Sequence, residues 1–202
     1  MIRINEIENP KKRILFLGFD QSKTRLIDAL TSNRCLVDHT ENKIEAIRGY
    51  DLVISYGYRH IINRDVINRF PGPIFNLHVS YLPYNRGAHP NFWSFYDDTP
   101  KGISIHLIDS GVDTGPIVRQ QYVNFSESDD TFAKTYAVLN QRIETLFIEL
   151  LPSLLSDTWD AKPQKGKGTH HYSRDLPSNF SGWDSNIEQE IQRLNQEGFK
   201  YE

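Results

Sequence analysis

Residues 74–118 read IFNLHVSYLPYNRGAHPNFWSFYDDTPKGISIHLIDSGVDTGPIV and carry the densest structural signal in the chain. The stretch opens on a β-branched and aromatic run, Ile74–His78, with the composition of a buried strand, and breaks at Leu82-Pro83. Strand side chains alternate faces, so Asn76 and His78 share one face while Phe75, Leu77 and Val79 take the other. An amide and an imidazole thus stand side by side at the C-terminal end of a strand, where open α/β sheets hold their ligands. About thirty-five residues later comes the tight turn Gly111-Val112-Asp113-Thr114-Gly115-Pro116, which could return one carboxylate to the imidazole. An amide donor, an imidazole and an orienting carboxylate suit acyl transfer without a covalent enzyme intermediate.

Upstream, residues 13–17 read as a first buried strand closing at Gly18. Helix 23–32 follows, with Ser22 or Asp20 as its cap and Leu26, Ile27 and Leu30 at helical spacing. A short strand is expected at 35–37, a weakly patterned helix at 43–48, a strand at 51–55, and a helix at 64–70 stopped by Pro71-Gly72-Pro73. Residues 1–12 read as an extended or mobile lead-in. Strands separated by short helical segments imply βαβ units and a parallel sheet, hence a Rossmann-like α/β core flanked by helices. The loop after the first strand holds one glycine and no G-x-G-x-x-G, so a dinucleotide cofactor is unsupported.

Downstream, 91–97 reads as a helix, and the alternating runs 102–108 and 117–125 read as an antiparallel hairpin added to the sheet. The longest helical pattern, 129–155, aligns Phe132, Tyr136, Leu139, Ile143, Phe147 and Leu150 in one stripe, with Pro152 expected to kink or end it. Composition then shifts towards Lys, Gly, His and Ser, with one extended piece at 169–172 and an amphipathic helix at 185–197. The chain divides accordingly into a core at 1–160 and a C-terminal loop and short helix at 161–202, packed on the core or on a partner subunit.

Composition bounds the function. With 38% hydrophobic residues, 11 Phe, 10 Tyr and 3 Trp, the 202 residues can build a core and line a site for a flat ligand. A net charge of −3 without any long basic run argues against nucleic acid as partner. No apolar run reaches the ~18 residues of a membrane span, and the single Cys35 fits a reducing cytoplasm. His78 with a distant Asp lacks metal-ligand spacing, and His170-His171 stand next to each other in the tail, so no metal is expected. No nucleophile elbow or Cys-His pairing accompanies Cys35.

The motif Asn76-Leu77-His78-Val79-Ser80-Tyr81-Leu82-Pro83 resembles the N-x-H-x-S-x-L-P signature of the N10-formyltetrahydrofolate-dependent formyltransferases, and Asp113 in its D-x-G-P setting resembles their third catalytic residue. The following stretch, Asn85-Arg86-Gly87-Ala88-His89-Pro90-Asn91-Phe92-Trp93, looks most like the branch that formylates nucleotide-linked amino sugars. The resemblance is strong over about residues 50 to 125 and weakens on either side.

It implies an enzyme with Asn76, His78 and Asp113 as catalytic residues and N10-formyltetrahydrofolate as co-substrate. It carries the folate contacts onto Tyr58, Arg59, His60 and Ile61, and onto Ile108, Asp109, Gly111 and Val112 with Ser110 between them. Tyr81, Arg86, Asn91 and Trp93 are the substrate candidates: Arg86 could fork onto a pyrophosphate, and Trp93 reads equally as core. The acceptor implied is a UDP- or dTDP-linked 4-amino sugar for surface glycan synthesis. Glycinamide ribonucleotide formylation, a non-catalytic folate- or nucleotide-binding module, and a homodimeric assembly stay open at this point.

Overall fold

Two apolar faces on single strands set the architecture. The computed structural model describes residues 1–199. Its first half runs β1 (Ile2–Arg3), β2 (Lys12–Gly18), α1 (Leu26–Ser32), β3 (Cys35–Thr40), β4 (Leu52–Tyr56), α2 (Arg64–Arg69) and β5 (Ile74–His78). Then follow β6 (Arg86–Gly87), α3 (Pro90–Tyr96), β7 (Gly102–Leu107), β8 (Ile117–Tyr122), the long α4 (Phe132–Leu155), β9 (His170–His171) and α5 (Ile187–Gln196). The main sheet has the order β1-β3-β2-β4-β5-β7-β8. Strands β3, β2, β4 and β5 are parallel, whereas β1, β7 and β8 join antiparallel. The expected Rossmann-like α/β sheet with an added antiparallel hairpin is the fold observed.

The central strands are buried on both sides, as a parallel sheet covered on two faces requires. Ile14, Phe16, Ile54, Phe75 and Leu77 point to one face, where α1 brings Leu26, Ile27 and Leu30 and α4 brings Leu139, Ile143, Phe147 and Leu150. Leu15, Leu17, Val53 and Ile74 point to the other, against Val66 and Phe70 from the α2 region and Ile44 and Ile47 from a loop. A third cluster, Phe92, Trp93, Phe132, Ile187 and Leu194, joins α3, the start of α4 and α5.

Several local expectations need correction. Residues 43–48 form no helix; the Ile44 N–H instead donates to the Tyr58 hydroxyl at 3.1 Å, and a single isolated turn is too short to repay helix nucleation. Helix α1 starts later than expected, at Leu26, because Thr24 Oγ1 accepts the Leu26 N–H while Asp20 bonds Ser22. Strand β3 runs on to Thr40, beyond the expected 35–37, because β2 pairs with it as far as Leu17↔Thr40. The lead-in contributes strand β1, tied to β3 by the Arg3–Asp38 ion pair at 3.0 Å. Helix α4 continues through Pro152 to Leu155, held by buried Leu150, Leu151 and Leu154, and Tyr136 of the expected stripe is exposed. Among the described residues no helix is long and apolar enough to cross a membrane. Of the expected C-terminal piece 161–202, residues 200–202 lie outside those described.

Three connections place the site. β7 lies antiparallel beside β5, so His106 is the register partner of Asn76 and Ser104 that of His78. The loop after β7 leaves the sheet beside Phe75, where the Ile108 N–H donates to the Ile74 carbonyl, and returns to β8 through residues 109–116. β6 pairs in parallel with β9, which brings the C-terminal segment against the loop following β5.

Candidate active site

Strand β5 presents Asn76 and His78 on the face that its apolar neighbours Phe75 and Leu77 leave free for polar groups. Asp113, in a left-handed conformation at φ +53° that aspartate tolerates, brings its carboxylate to them. Its Oδ1 accepts from Asn76 Nδ2 at 3.2 Å and lies 3.4 Å from His106 Nε2. Its Oδ2 accepts the Gly87 N–H at 2.8 Å and lies 3.6 Å from His78 Nδ1. One buried carboxylate therefore gathers an amide, two imidazoles and a backbone N–H.

The rings are held from their far sides. His78 Nε2 lies 2.9 Å from the Asn85 carbonyl. Both of its ring nitrogens face oxygen acceptors, so both N–H groups of an imidazolium have partners. His106 Nδ1 lies 2.8 Å from the Leu107 carbonyl, which makes it the donor there. Its Nε2 then accepts from Asn76 Nδ2, 3.1 Å away, when the ring is neutral, or donates to Asp113 when it is charged; one nitrogen cannot do both. Burial alone would raise the Asp113 pKa, but the charge of His78, then His106 and the Gly87 N–H, hold it well below the usual carboxylate range.

Asn85 (φ +56°) and His89 (φ +53°) share the left-handed backbone of Asp113. Among the described residues no cluster of three or more His, Cys, Asp or Glu side chains could hold a metal ion.

The remaining expected site residues fall into separate places. Tyr58 and Ile108 pack against the same apolar cluster, the Tyr58 hydroxyl donating to the Asn42 carbonyl at 2.9 Å. Arg59, His60 and Ile61 are exposed in the loop after β4. Asp109 Oδ1 accepts from the Gly111 N–H and from Thr114 Oγ1, bracing the turn, and Val112 is exposed on it. Tyr81 stacks on Tyr122 with ring centroids 3.8 Å apart, and Arg86 is half-buried. Asn91 and Trp93 point inward instead. Asn91 Nδ2 donates to the Phe132 carbonyl and to Thr135 Oγ1, and Trp93, 0% exposed, stacks on His171 at 4.1 Å.

Sequence reasoning missed four contributors: His106, the Gly87 N–H, the Asn85 carbonyl and Gln164, whose Nε2 donates to the Asp113 carbonyl at 2.8 Å. His106 left a usable trace, since the alternation of 102–108 puts it on the polar face with Ser104. Backbone groups leave no such trace.

A family model described as formyl transferase matches residues 10–154. A dTDP-4-amino-4,6-dideoxyglucose formyltransferase of Mycobacterium bovis is 30% identical over 149 residues, 71% of this chain and 59% of that protein. The same holds for its counterpart in Mycobacterium tuberculosis, so the chain spans about three fifths of the length of these curated relatives. Among solved structures, the formyltransferase PseJ from Anoxybacillus kamchatkensis, in complex with UDP-4,6-dideoxy-4-formamido-L-AltNAc and tetrahydrofolate, is 40% identical with a TM-score of 0.81. That match covers 88% of this chain and 96% of PseJ. A 4-N formyltransferase from Francisella tularensis shares the fold at 19% identity, TM-score 0.72, over 90% of this chain and 86% of that one.

Proposed function

This chain belongs to the formyl transferase family, and on that footing we propose that it moves a formyl group from N10-formyltetrahydrofolate to the amine of a nucleotide-linked amino-dideoxy sugar. A UDP- or dTDP-linked 4-amino sugar is the acceptor, made for surface glycan synthesis. The observation that carries this reading is the convergence of Asn76, His78 and the Gly87 N–H on the Asp113 carboxylate. The molecules bound to PseJ, a 4-formamido nucleotide sugar and tetrahydrofolate, support the substrate class, as does the activity named for the mycobacterial relatives.

In this reading the amine nitrogen attacks the formyl carbon, and its bond to the folate nitrogen breaks. The amine loses one proton and the departing folate nitrogen gains one. His78 is the group suited to take or return that proton near neutral pH, its Nε2 first leaving the Asn85 carbonyl that it now faces. Asp113, 3.6 Å from Nδ1, orients His78. An oxyanion arriving at the site would take an Asn76 N–H from its present partners, His106 and Asp113. The folate rests on the loops 58–61 and 108–112, while Arg86 and Tyr81 meet the nucleotide sugar. Residues 1–160 carry the reaction, the C-terminal piece that begins at residue 161 packs on that core or on a partner subunit, and the enzyme works in the cytoplasm.

The test is direct: incubate the purified chain with N10-formyltetrahydrofolate and a panel of UDP- and dTDP-linked 3- and 4-amino sugars. Release of tetrahydrofolate together with a mass gain of one formyl group on a sugar is expected. Donor consumed without any formylated sugar would mean hydrolysis instead, and the reading would be lost.

A further inference from the structure

Gln164 lies beyond helix α4, outside every motif that marks the site, yet its side-chain amide joins two of the site's loops. Its Oε1 accepts from Arg86 Nε at 3.1 Å and Nη2 at 2.6 Å. Its Nε2 donates to the carbonyls of Asp113 at 2.8 Å and Gly115 at 2.9 Å. The orientation follows from chemistry, because a reversed amide would set NH₂ against a guanidinium and oxygen against two carbonyls.

Arg86 gains a fixed position from this contact and no counter-charge. Among the described residues no carboxylate lies within ion-pair distance of it, although it is half-buried. Two of its five N–H donors face Gln164 and three are left for another partner. A half-buried cation held by a neutral amide, one residue before the Gly87 N–H that bonds Asp113, is suited to an arriving anion.

The segment bearing Gln164 is anchored at both ends. Lys162 and Ile117 exchange backbone hydrogen bonds at 2.8 and 2.9 Å. Thr169 Oγ1 accepts the Asn85 N–H at 2.8 Å, and β9 pairs with β6. Residues 162–171 therefore form a strap from the edge strand β8 to the loop after β5, with Gln164 inserted between the Asp113 turn and Arg86.

We propose that Gln164 is a positioning residue: it fixes Arg86 as the seat of the substrate's diphosphate and couples that seat to the turn that aims Asp113. This rests on the nucleotide-sugar reading above. A diphosphate engaging Arg86 would tighten the Arg86–Gln164 contact and, through the same amide, the Asp113 and Gly115 carbonyls. Binding remote from the reacting amine thereby steadies the carboxylate.

UDP and dTDP titrated calorimetrically, with kinetics on the formylated acceptor, test the idea in the full chain. Gln164→Ala should weaken binding of the preferred nucleotide about tenfold, as loss of a hydrogen bond to a charged group does. It should also lower kcat, which loss of a nucleotide contact alone would not do. The double variant Arg86→Ala/Gln164→Ala should bind no more weakly than Arg86→Ala. Should Gln164→Ala fail to fold, Gln164→Glu keeps the size and gives Arg86 a carboxylate that competes with the diphosphate. Its second oxygen faces the Asp113 and Gly115 carbonyls and so lowers the melting temperature, and at a temperature where the variant is still folded it should bind the nucleotide more weakly than wild type. Variants that all stay within about twofold of wild type in binding and kcat, or single losses that multiply in the double variant, would overturn this proposal alone. A wild-type chain that binds neither UDP nor dTDP would overturn the premise and the proposal with it.

Discussion

Oδ2 of Asp113 lies 3.6 Å from Nδ1 of His78, with the carboxylate almost wholly out of water. Burial alone would raise its pKa, but the charge of His78, with help from His106 and Gly87, lowers it well below the ordinary range. A carboxyl with a depressed folded-state pKa contributes stability that is present above its unfolded value of ~3.9 and is lost as pH falls towards the folded value. The wild-type chain should therefore lose stability more steeply than Asp113→Asn below about pH 4. Denaturant midpoints for both chains across the acid range would show it; parallel curves would mean that Asp113 is not held as described. At neutral pH the same variant should retain its fold and lose turnover by ~10²–10⁴-fold, the range for a disabled acid–base system.

Gly87 donates its N–H to Asp113 while its backbone sits at φ +87°. A Cβ there would stand 2.3 Å from the carbonyl oxygen of His171, inside the β6–β9 pair. Gly49 has a similar φ of +78° and nothing within 4 Å of an added Cβ, so it provides the control. Gly49→Ala should cost ~1 kcal/mol from backbone strain and leave turnover alone. Gly87→Ala should cost ~2–3 kcal/mol and reduce turnover as well, because β9 and the Asp113 partner must both move. Equal losses in the two variants, by urea melts and initial rates, would dismiss the coupling.

Apolar periodicity made most of the fold legible. Ile74–His78 is buried and paired as its composition indicates, because burial on two faces leaves no other use for such a run. Asn76, His78 and Asp113 were legible as a motif, and two of them as neighbours on one strand face. Local pattern failed where distant partners decided the outcome. Residues 43–48 lost their helix to a hydroxyl from Tyr58, and Gln164 owes its position to a strap that no periodicity announces. Trp93 and Asn91 sit next to the motif in sequence, which makes them substrate candidates, with Trp93 reading equally as core. Helix α3 turns Trp93 into the third core cluster, which α5 completes with Ile187 and Leu194, and turns Asn91 towards the Phe132 carbonyl and Thr135 of α4.

Trp93 accordingly should behave as a core residue. It is fully buried, packs edge-on against Phe92 at 4.9 Å and shares its cluster with Phe132 and Leu194. Trp93→Ala should lower stability by ~3–5 kcal/mol, the usual loss for a large buried aromatic. Trp93→Phe, milder in volume, should keep the Michaelis constant for the nucleotide sugar unchanged. If Trp93→Phe raised that constant strongly while leaving the melting temperature alone, the ring would have to reach substrate.

His106 stands directly across the ladder from Asn76 and is 1% exposed. Its Nε2 lies 3.1 Å from Asn76 Nδ2 and 3.4 Å from Asp113 Oδ1, so the ring stands between the amide and the carboxylate. Replacing it with leucine removes a polar partner from both. A lost hydrogen bond to a charged group costs ~1.5–3 kcal/mol. Felt in the transition state, that is ~10–100-fold in kcat. His106→Gln can accept from Asn76 but cannot take up a proton. It should restore most of the stability and of the kcat lost in His106→Leu, since it returns an acceptor to the Asn76 amide. Were His106→Leu to match wild type in both kcat and melting temperature, the ring would be no more than a buried spacer between Asn76 and Asp113.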